Sequence, residues 1–375
     1  MAGQRLDEAA QAALDRRFMA AAIRLSRRNA GRTSTNPSVG TIIVRDDGAG
    51  PMIVGTGVTA VGGRPHAETE ALAEAGELAR GATAYVTLEP CAHHGRTPPC
   101  ANALVNAGIA RVVGAASDPD PRVSGKGYAI LRAAGVEVVE KVLAAEAAEQ
   151  MAGYLTRSLK KRPEVTLKLA LSSDGKIGRK GAGQVAITGE IARRDVYLMR
   201  AESDAILVGI GTALEDDPAL TVRLPGLENR SPARIILDRQ IRLPETSKLI
   251  SGVDRVPLYI AACLEADPHR RAALERAGVR FIGTETHNGV VALPELLEDL
   301  AALGMASVLV EGGAKVAKAF LEEDLVDRIV LFQGPEAIGK DGIASPIDAD
   351  HIPAGFRKLR DMRFGEDSYA EWVRP

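Results

Sequence analysis

Three side chains of this chain have the types and spacing to hold one metal ion. His66 opens a His-Ala-Glu triplet, and Cys91 and Cys100 bracket the segment CAHHGRTPPC. Zinc takes thiolate and imidazole ligands in tetrahedral geometry, and a catalytic site leaves one of the four positions open to water. One imidazole and two sulfurs fill the other three. A bound zinc brings the pKa of water toward neutrality, so hydroxide becomes available to attack an amine-bearing ring carbon. Glu68, two residues past His66, is suited to take the water's proton and pass it to the ring and the leaving amine. Singly, the histidine reads as a satisfied structural residue and the cysteines as packed thiols. A closed structural zinc site, with His93 or His94 as fourth ligand, is the sharper rival.

The order H-x-E and then P-C is the arrangement of zinc nucleobase deaminases, in which the glutamate moves protons and does not bind metal. Here eight residues separate the cysteines, where that pattern has two. The extra length, AHHGRTPP, carries two histidines and an arginine. At the mouth of a site this composition suits an anion and points to a phosphate on the molecule being deaminated.

The elements that must position these residues follow from apolar periodicity. Helical spacing covers 17–27, apolar runs at 40–44 and 52–57 flank the turn-like DDGAGP, and 67–79 is rich in alanine and glutamate. A strand over 82–88, a helix over 100–107 and a strand over 112–116 complete a compact α/β unit. A helix over about 142–150 and the basic YLTRSLKKRP mark a boundary, and LKKRP reads as a solvated connector. Beyond it VTLKLAL, ILVGIG, ARIILD, PLYIAAC, VRFIG, SVLVEGG and RIVLF alternate with helical or turn segments, which predicts a mainly parallel, doubly wound sheet. The expected division is 1–150 and 151–375.

Composition narrows the function classes. With 46% hydrophobic and 26% charged residues over 375 positions, the chain has the balance of a two-domain globular protein. A net charge of −2 argues against a broad basic face for nucleic acid. Three cysteines cannot make a secreted disulfide framework, and MAGQRLDEAAQAALDRRF lacks the apolar block of a signal peptide. A cytoplasmic protein is expected. Cys263 and Trp372 read as packed residues near strand ends, and His269 and His287 support no role.

HAE, GATAYVTLEPCAHHGRTPPC and ARVVGAASDPDPRVSGKGYAIL resemble the deaminase half of the bifunctional riboflavin-biosynthesis deaminase-reductases. LKLALSSDGKI, AITGEIARRDVYLMRAESDAILVGIGTALEDDPALTVR and VLVEGGAKVAKAFL resemble the reductase half. The resemblance implies an N-terminal cytidine-deaminase-like three-layer domain and a C-terminal dihydrofolate-reductase-like domain. It implies deamination of a diaminopyrimidinone carrying a phosphoribosylamino group, then reduction of its ribose to a ribityl chain by NADPH. The ligands become His66, Cys91 and Cys100, with Glu68 as proton shuttle; Asn36, His93 and Arg96 become substrate contacts. Asn36 alternatively reads as a turn residue before Pro37.

In the second half the resemblance places Thr188, Thr212 and Asp216 on the cofactor side, and Arg200, Leu220, Arg223 and Glu311 on the substrate side. Gly312 and Gly313, between an apolar strand and a helix, are cofactor contacts on physical grounds too. Glycine lets backbone approach a ligand, and the helix start offers N–H groups to a phosphate. The same pair is also the simplest tight turn. Arg200 and Arg223 suit phosphate as guanidinium forks, with ion pairing or solvation as the alternative. The chain departs from the family pattern at Thr59, where many members have histidine. Ala186 replaces a tryptophan, Gln184 a serine and Tyr197 a glutamine. The Ala186 and Gln184 departures leave open a chain that only deaminates, with its second half a nucleotide-binding regulatory or assembly module. A nucleic-acid base deaminase is disfavoured, because no aromatic and basic strand-binding tract is evident. Members of the family are often oligomeric, so a homo-oligomer acting on a small molecule away from membranes is expected.

Overall fold

The computed structural model describes residues 7–93, 98–287 and 290–374, and the chain divides into two compact units, Met1–Lys160 and Lys161–Pro375. The first runs α1 (Glu8–Ser26), β1 (Gly40–Arg45), β2 (Met52–Val58), α2 (Ala67–Ala75), β3 (Thr83–Leu88), α3 (Cys100–Asn106), β4 (Arg111–Ala116), α4 (Lys126–Ala133), β5 (Glu137–Val139), α5 (Ala144–Gln150) and α6 (Ala152–Lys160). Helix α1 begins well before the expected residue 17, because Asp7 caps it by accepting from the Ala10 N–H at 2.7 Å.

The strands form one sheet in the order β2-β1-β3-β4-β5. Gly40 pairs with Val58, so Gly40 and the neighbouring Gly57 face opposite sides. A Cβ on Gly40 would stand 2.2 Å from the Ala22 carbonyl of α1, and one on Gly57 would stand 2.0 Å from the Ala67 carbonyl of α2. Helices therefore cover both faces, which is the expected three-layer arrangement. The core between them is alanine-rich and close, with Ala22, Ala67 and Ala71 fully buried.

The second unit runs β6 (Glu164–Leu171), β7 (Lys176–Arg179), α7 (Glu190–Glu202), β8 (Ala205–Gly209), α8 (Ile210–Asp216), β9 (Ala233–Leu237), α9 (Lys248–Ser251), β10 (Leu258–Cys263), α10 (Pro268–Arg276), β11 (Arg280–Thr284), β12 (Thr286–His287), β13 (Val290–Val291), α11 (Leu293–Ala302), β14 (Ser307–Glu311), α12 (Ala314–Glu322), β15 (Arg328–Gln333), β16 (Gly342–Ala344), β17 (Arg357–Phe364) and β18 (Asp367–Val373). Nine strands make the main sheet, β11-β10-β9-β8-β14-β6-β15-β18-β17. Pairing is parallel from β11 to β15 and antiparallel for the last two strands. Leu207 packs in one apolar cluster while Ile206 and Val208 pack in another. Both faces are dry, which is why these strands read as continuous apolar runs.

The first unit extends through Lys160, past the boundary expected after Gln150. Most of the stretch YLTRSLKKRP expected to mark the boundary forms α6, whose Tyr154 donates to Asp118 at 2.9 Å within the first unit. The solvated reading of LKKRP also needs correcting at Arg162. Its guanidinium meets Asp327 at 2.5 and 2.9 Å, and that carboxylate also accepts the Val165 N–H that starts β6. Trp372 is buried on β18 opposite Ile329, as expected, and Cys263 ends β10 half-buried.

Candidate functional site

Residues Gly55 and Gly57 let α2 lie directly on β2, since any larger side chain would collide with the Ala67 and Ala71 carbonyls. That contact sets the start of α2, with His66 as its N-cap residue and Glu68 in its first turn. Cys100 is the first residue of α3, and Cys91 follows the β3 exit. The ligand atoms of His66, Cys91 and Cys100 all lie within 4.8 Å of one another. His66 Nδ1 is 3.3 Å from Cys100 Sγ and 3.8 Å from Cys91 Sγ. A tetrahedral zinc at about 2.3 Å from sulfur and about 2.0 Å from nitrogen separates those donors by roughly 3.6 Å. The donor set and its spacing therefore fit zinc.

Charge at this cluster is unsettled in a way that a cation would relieve. The Cys91 thiol is drawn down to about 4, first by a hydrogen bond from Cys100, with His66 adding to it. The backbone N–H of Cys100 also donates to the Cys91 sulfur at 3.2 Å. The Cys100 thiol, bonded to that thiolate and buried, is pushed strongly up, and His66 is raised chiefly by Cys91. Metal ligation requires both sulfurs as thiolates, so binding releases the protons they carry. Glu68 is 4% exposed, and burial, followed by the Cys91 charge, pushes it up to about 7. A carboxyl group poised near neutrality can both accept and return a proton.

His66, Glu68 and Cys91 open onto a cavity of about 660 Å³. Asn36 lines it while its amide donates to the Gly63 carbonyl at 2.8 Å, so the residue both turns the loop and faces the cavity. His93 lines it too, and its Nδ1 is buried with no hydrogen-bond partner among the described residues. Thr59, also in the wall, accepts from the Val39 N–H at 3.0 Å, so its hydroxyl is committed to backbone. Arg96 and His94 lie outside the described residues. Reading by sequence did not assign Asp118, Asp120, Tyr154 or Arg157, which line the same cavity. Aspartates in SDPDPR, just past an apolar strand, were the available signal for the first two. Nothing local marked Tyr154, whose partner Asp118 is 36 residues earlier.

In the second unit the sheet order brings the β8 and β14 ends together. Thr212, in the first turns of α8, packs on the Gly312–Gly313 turn, and a Cβ on Gly313 would stand 2.9 Å from its Oγ1. Both glycines have positive φ, at 91° and 81°, and Gly313 caps α12. This bare backbone at a strand-to-helix turn is a cradle that fits the phosphates of a nicotinamide nucleotide. Asp216 ends α8, raised by burial, and Thr188 lies in the segment before α7. Exposed Gln184 and Ala186 precede it.

The residues expected on the substrate side form a second group. Arg200 meets Glu311 with two bonds of 2.6 and 2.9 Å, and its third nitrogen donates to the Thr221 carbonyl. Its fork is therefore spent on an ion pair. Lys168, on β6 opposite Glu311, approaches the same carboxylate at 3.9 Å. Burial lowers Lys168, while Arg200 and Lys168 together hold Glu311 below the usual carboxylate range despite its own burial. Lys168 escaped assignment, although a lysine inside the apolar VTLKLAL was a visible anomaly. Leu220 is buried with φ of 52°, and the exposed guanidinium of Arg223 lies over the Tyr197 ring.

Comparison with known proteins covers both units. The family model "RibD C-terminal domain" matches residues 163–368, and "Cytidine and deoxycytidylate deaminase zinc-binding region" matches residues 12–116. The chain is 38% identical over 356 residues to riboflavin biosynthesis protein RibD of Aquifex aeolicus, covering 94% of this chain and 97% of that one. It is 39% identical to the Escherichia coli protein of the same name, covering 87% and 89%. Among solved structures, Acinetobacter baumannii RibD, form 1, matches with a TM-score of 0.84 at 36% identity, covering 97% of this chain and 99% of that one. A Thermotoga maritima structure described as a diaminohydroxyphosphoribosylaminopyrimidine deaminase/5-amino-6-(5-phosphoribosylamino)uracil reductase gives 0.83 at 33%, covering 97% and 100%.

Proposed function

The chain belongs to the RibD family, and from that membership we infer a bifunctional enzyme of riboflavin biosynthesis, a zinc-dependent pyrimidine deaminase joined to a nicotinamide-dependent reductase. Its substrates on this reading are diaminohydroxyphosphoribosylaminopyrimidine and then 5-amino-6-(5-phosphoribosylamino)uracil. The observation that carries the reading is the convergence of His66, Cys91 and Cys100 beside a buried Glu68 at the wall of a cavity. His66, Cys91 and Cys100 would hold a zinc ion, which when bound would supply Lewis acidity that brings water to a nucleophilic form near neutral pH.

The chain's own residues do the rest. Glu68 takes one proton from the attacking water at its carboxylate and passes it to the ring nitrogen, then carries the second proton of that oxygen to the departing amine, so that ammonia leaves as a neutral molecule and the ring keeps a carbonyl. Asn36 and His93 orient the pyrimidine from the cavity wall, and Arg96 meets the phosphate.

For reduction, Gly312, Gly313, Thr212, Asp216 and Thr188 hold the cofactor, whose nicotinamide supplies the hydride. Leu220, Arg223 and Glu311 face the substrate, and Arg200 serves by fixing Glu311. NADPH is the proposed donor, and the proposed setting is a homo-oligomer in the cytoplasm acting on a free small molecule and not on nucleic acid. No helix among the described residues is long and apolar enough to cross a membrane.

Purified protein given the diaminopyrimidinone substrate tests both halves. Ammonia should appear without nucleotide, and NADPH should then be oxidised faster than NADH at equal concentration. Ammonia release with neither nucleotide consumed would reduce the second unit to a binding module. Equal rates with NADH would remove the NADPH preference.

A further inference from the structure

We propose that Tyr197 is a positioning residue for the reductase substrate's phosphate, holding the Arg223 guanidinium by its ring and so leaving the fork's N–H donors free. The inference rests on the reading of Arg223 as a substrate contact and deepens it. Two arginines stand over this one ring, Arg200 with Cζ 5.5 Å from the centroid and Arg223 with Cζ 5.4 Å from it. They differ in what their nitrogens do. Arg200 gives all of its fork to Glu311 and the Thr221 carbonyl, and its charge is neutralised there. Arg223 makes no hydrogen bond or ion pair among the described residues.

Attraction to a ring uses the charge of a guanidinium and spends none of its donors, whereas a carboxylate or amide partner would occupy them. A glutamine at this position would present a carbonyl that competes for those donors and would have no π face. Backbone on the way to Arg223 is already fixed: Arg200 donates to the Thr221 carbonyl at 3.0 Å, and the Val222 N–H donates to Ser231 Oγ at 3.0 Å. The long side chain is the part left to place, and the ring places it. A cation held in this way keeps its full charge for a phosphate and loses less freedom when the phosphate arrives.

The test is steady-state reduction by the full-length enzyme of the phosphorylated substrate and of its dephosphorylated counterpart. Tyr197→Leu should raise KM for the phosphorylated substrate by about 2- to 5-fold with kcat unchanged, and leave the dephosphorylated one unaffected. Tyr197→Phe should restore the parent KM, because the ring and not the hydroxyl acts. In an Arg223→Ala background Tyr197→Leu should add nothing. Ammonia release by the same preparations checks that the chain is intact, and Tyr197→Gln serves as a second variant should the leucine form not fold. An equal KM rise for both substrates, a fall in kcat, or an effect that persists without Arg223 would each overturn the proposal. An unchanged KM in Arg223→Ala alone would instead remove the phosphate reading of Arg223 beneath it.

Discussion

The His66–Cys91–Cys100–Glu68 cluster of the first unit and the Arg200–Glu311–Lys168 cluster of the second hold their charges in different ways. Around His66, Cys91, Cys100 and Glu68 the groups are displaced from their ordinary protonation, with one thiol driven down and a carboxyl driven up. Around Arg200, Glu311 and Lys168 the charges answer one another in a buried cluster of two cations and one anion. The difference follows the chemistry each unit carries. A hydrolytic site that makes its own nucleophile needs groups that change protonation near neutrality. A hydride-transfer site borrows its reactivity from the nicotinamide, so its protein charges serve mainly to hold shape and bind.

Substitutions can break this contrast, beginning where the effect is largest. Glu68→Gln should cut ammonia release by about 10²- to 10⁴-fold while metal analysis still finds one zinc per chain and reduction of the deaminated substrate proceeds. Parallel loss of both activities would mean that Glu68 holds structure and does not move protons. Glu311→Gln should destabilise the second unit by about 3–5 kcal/mol, because Arg200 and Lys168 lose their counter-charge in a buried place. Denaturant unfolding followed at Trp372 measures this, and a midpoint within error of the parent would show the cluster to be solvated.

Gly313→Ala puts a Cβ 2.9 Å from Thr212 Oγ1 at a φ of 81°, a strain of about 1–3 kcal/mol. The nucleotide KM should rise about tenfold with the deaminase untouched, and an unaltered nucleotide KM would move the cofactor away from this turn. Smallest is Tyr154→Phe, which removes the bond to Asp118 and about 1 kcal/mol with it. Deaminase kcat/KM should fall roughly fivefold, and an unchanged value would assign Tyr154 to packing alone.

Legibility differed between the units for the same physical reason. Zinc demands particular donor atoms at short range, so His66, Cys91 and Cys100 announce themselves by type and spacing, and Glu68 by its place two residues past the histidine. The proposed cofactor cradle needs only bare backbone, and Gly-Gly is common. Thr212 joins Gly312 and Gly313 because β8 and β14 are neighbours in the sheet, a fact that no local pattern contains. Helix α6 was hidden by its charge run, since Tyr154 gains its role from Asp118 across the first unit. Arg162 was misjudged as solvated because its partner Asp327 lies 165 residues away.

By itself the sequence determined the donor set of the metal site, the glutamate beside it and the alternation of apolar runs that makes two α/β units. Covalent spacing and side-chain chemistry are enough for these. Only the tertiary structure decided which of two arginines is spent on a carboxylate and which keeps its donors free, and which distant side chains wall the cavity. Such choices depend on strand order and on which charges burial forces together, and separation along the chain encodes neither.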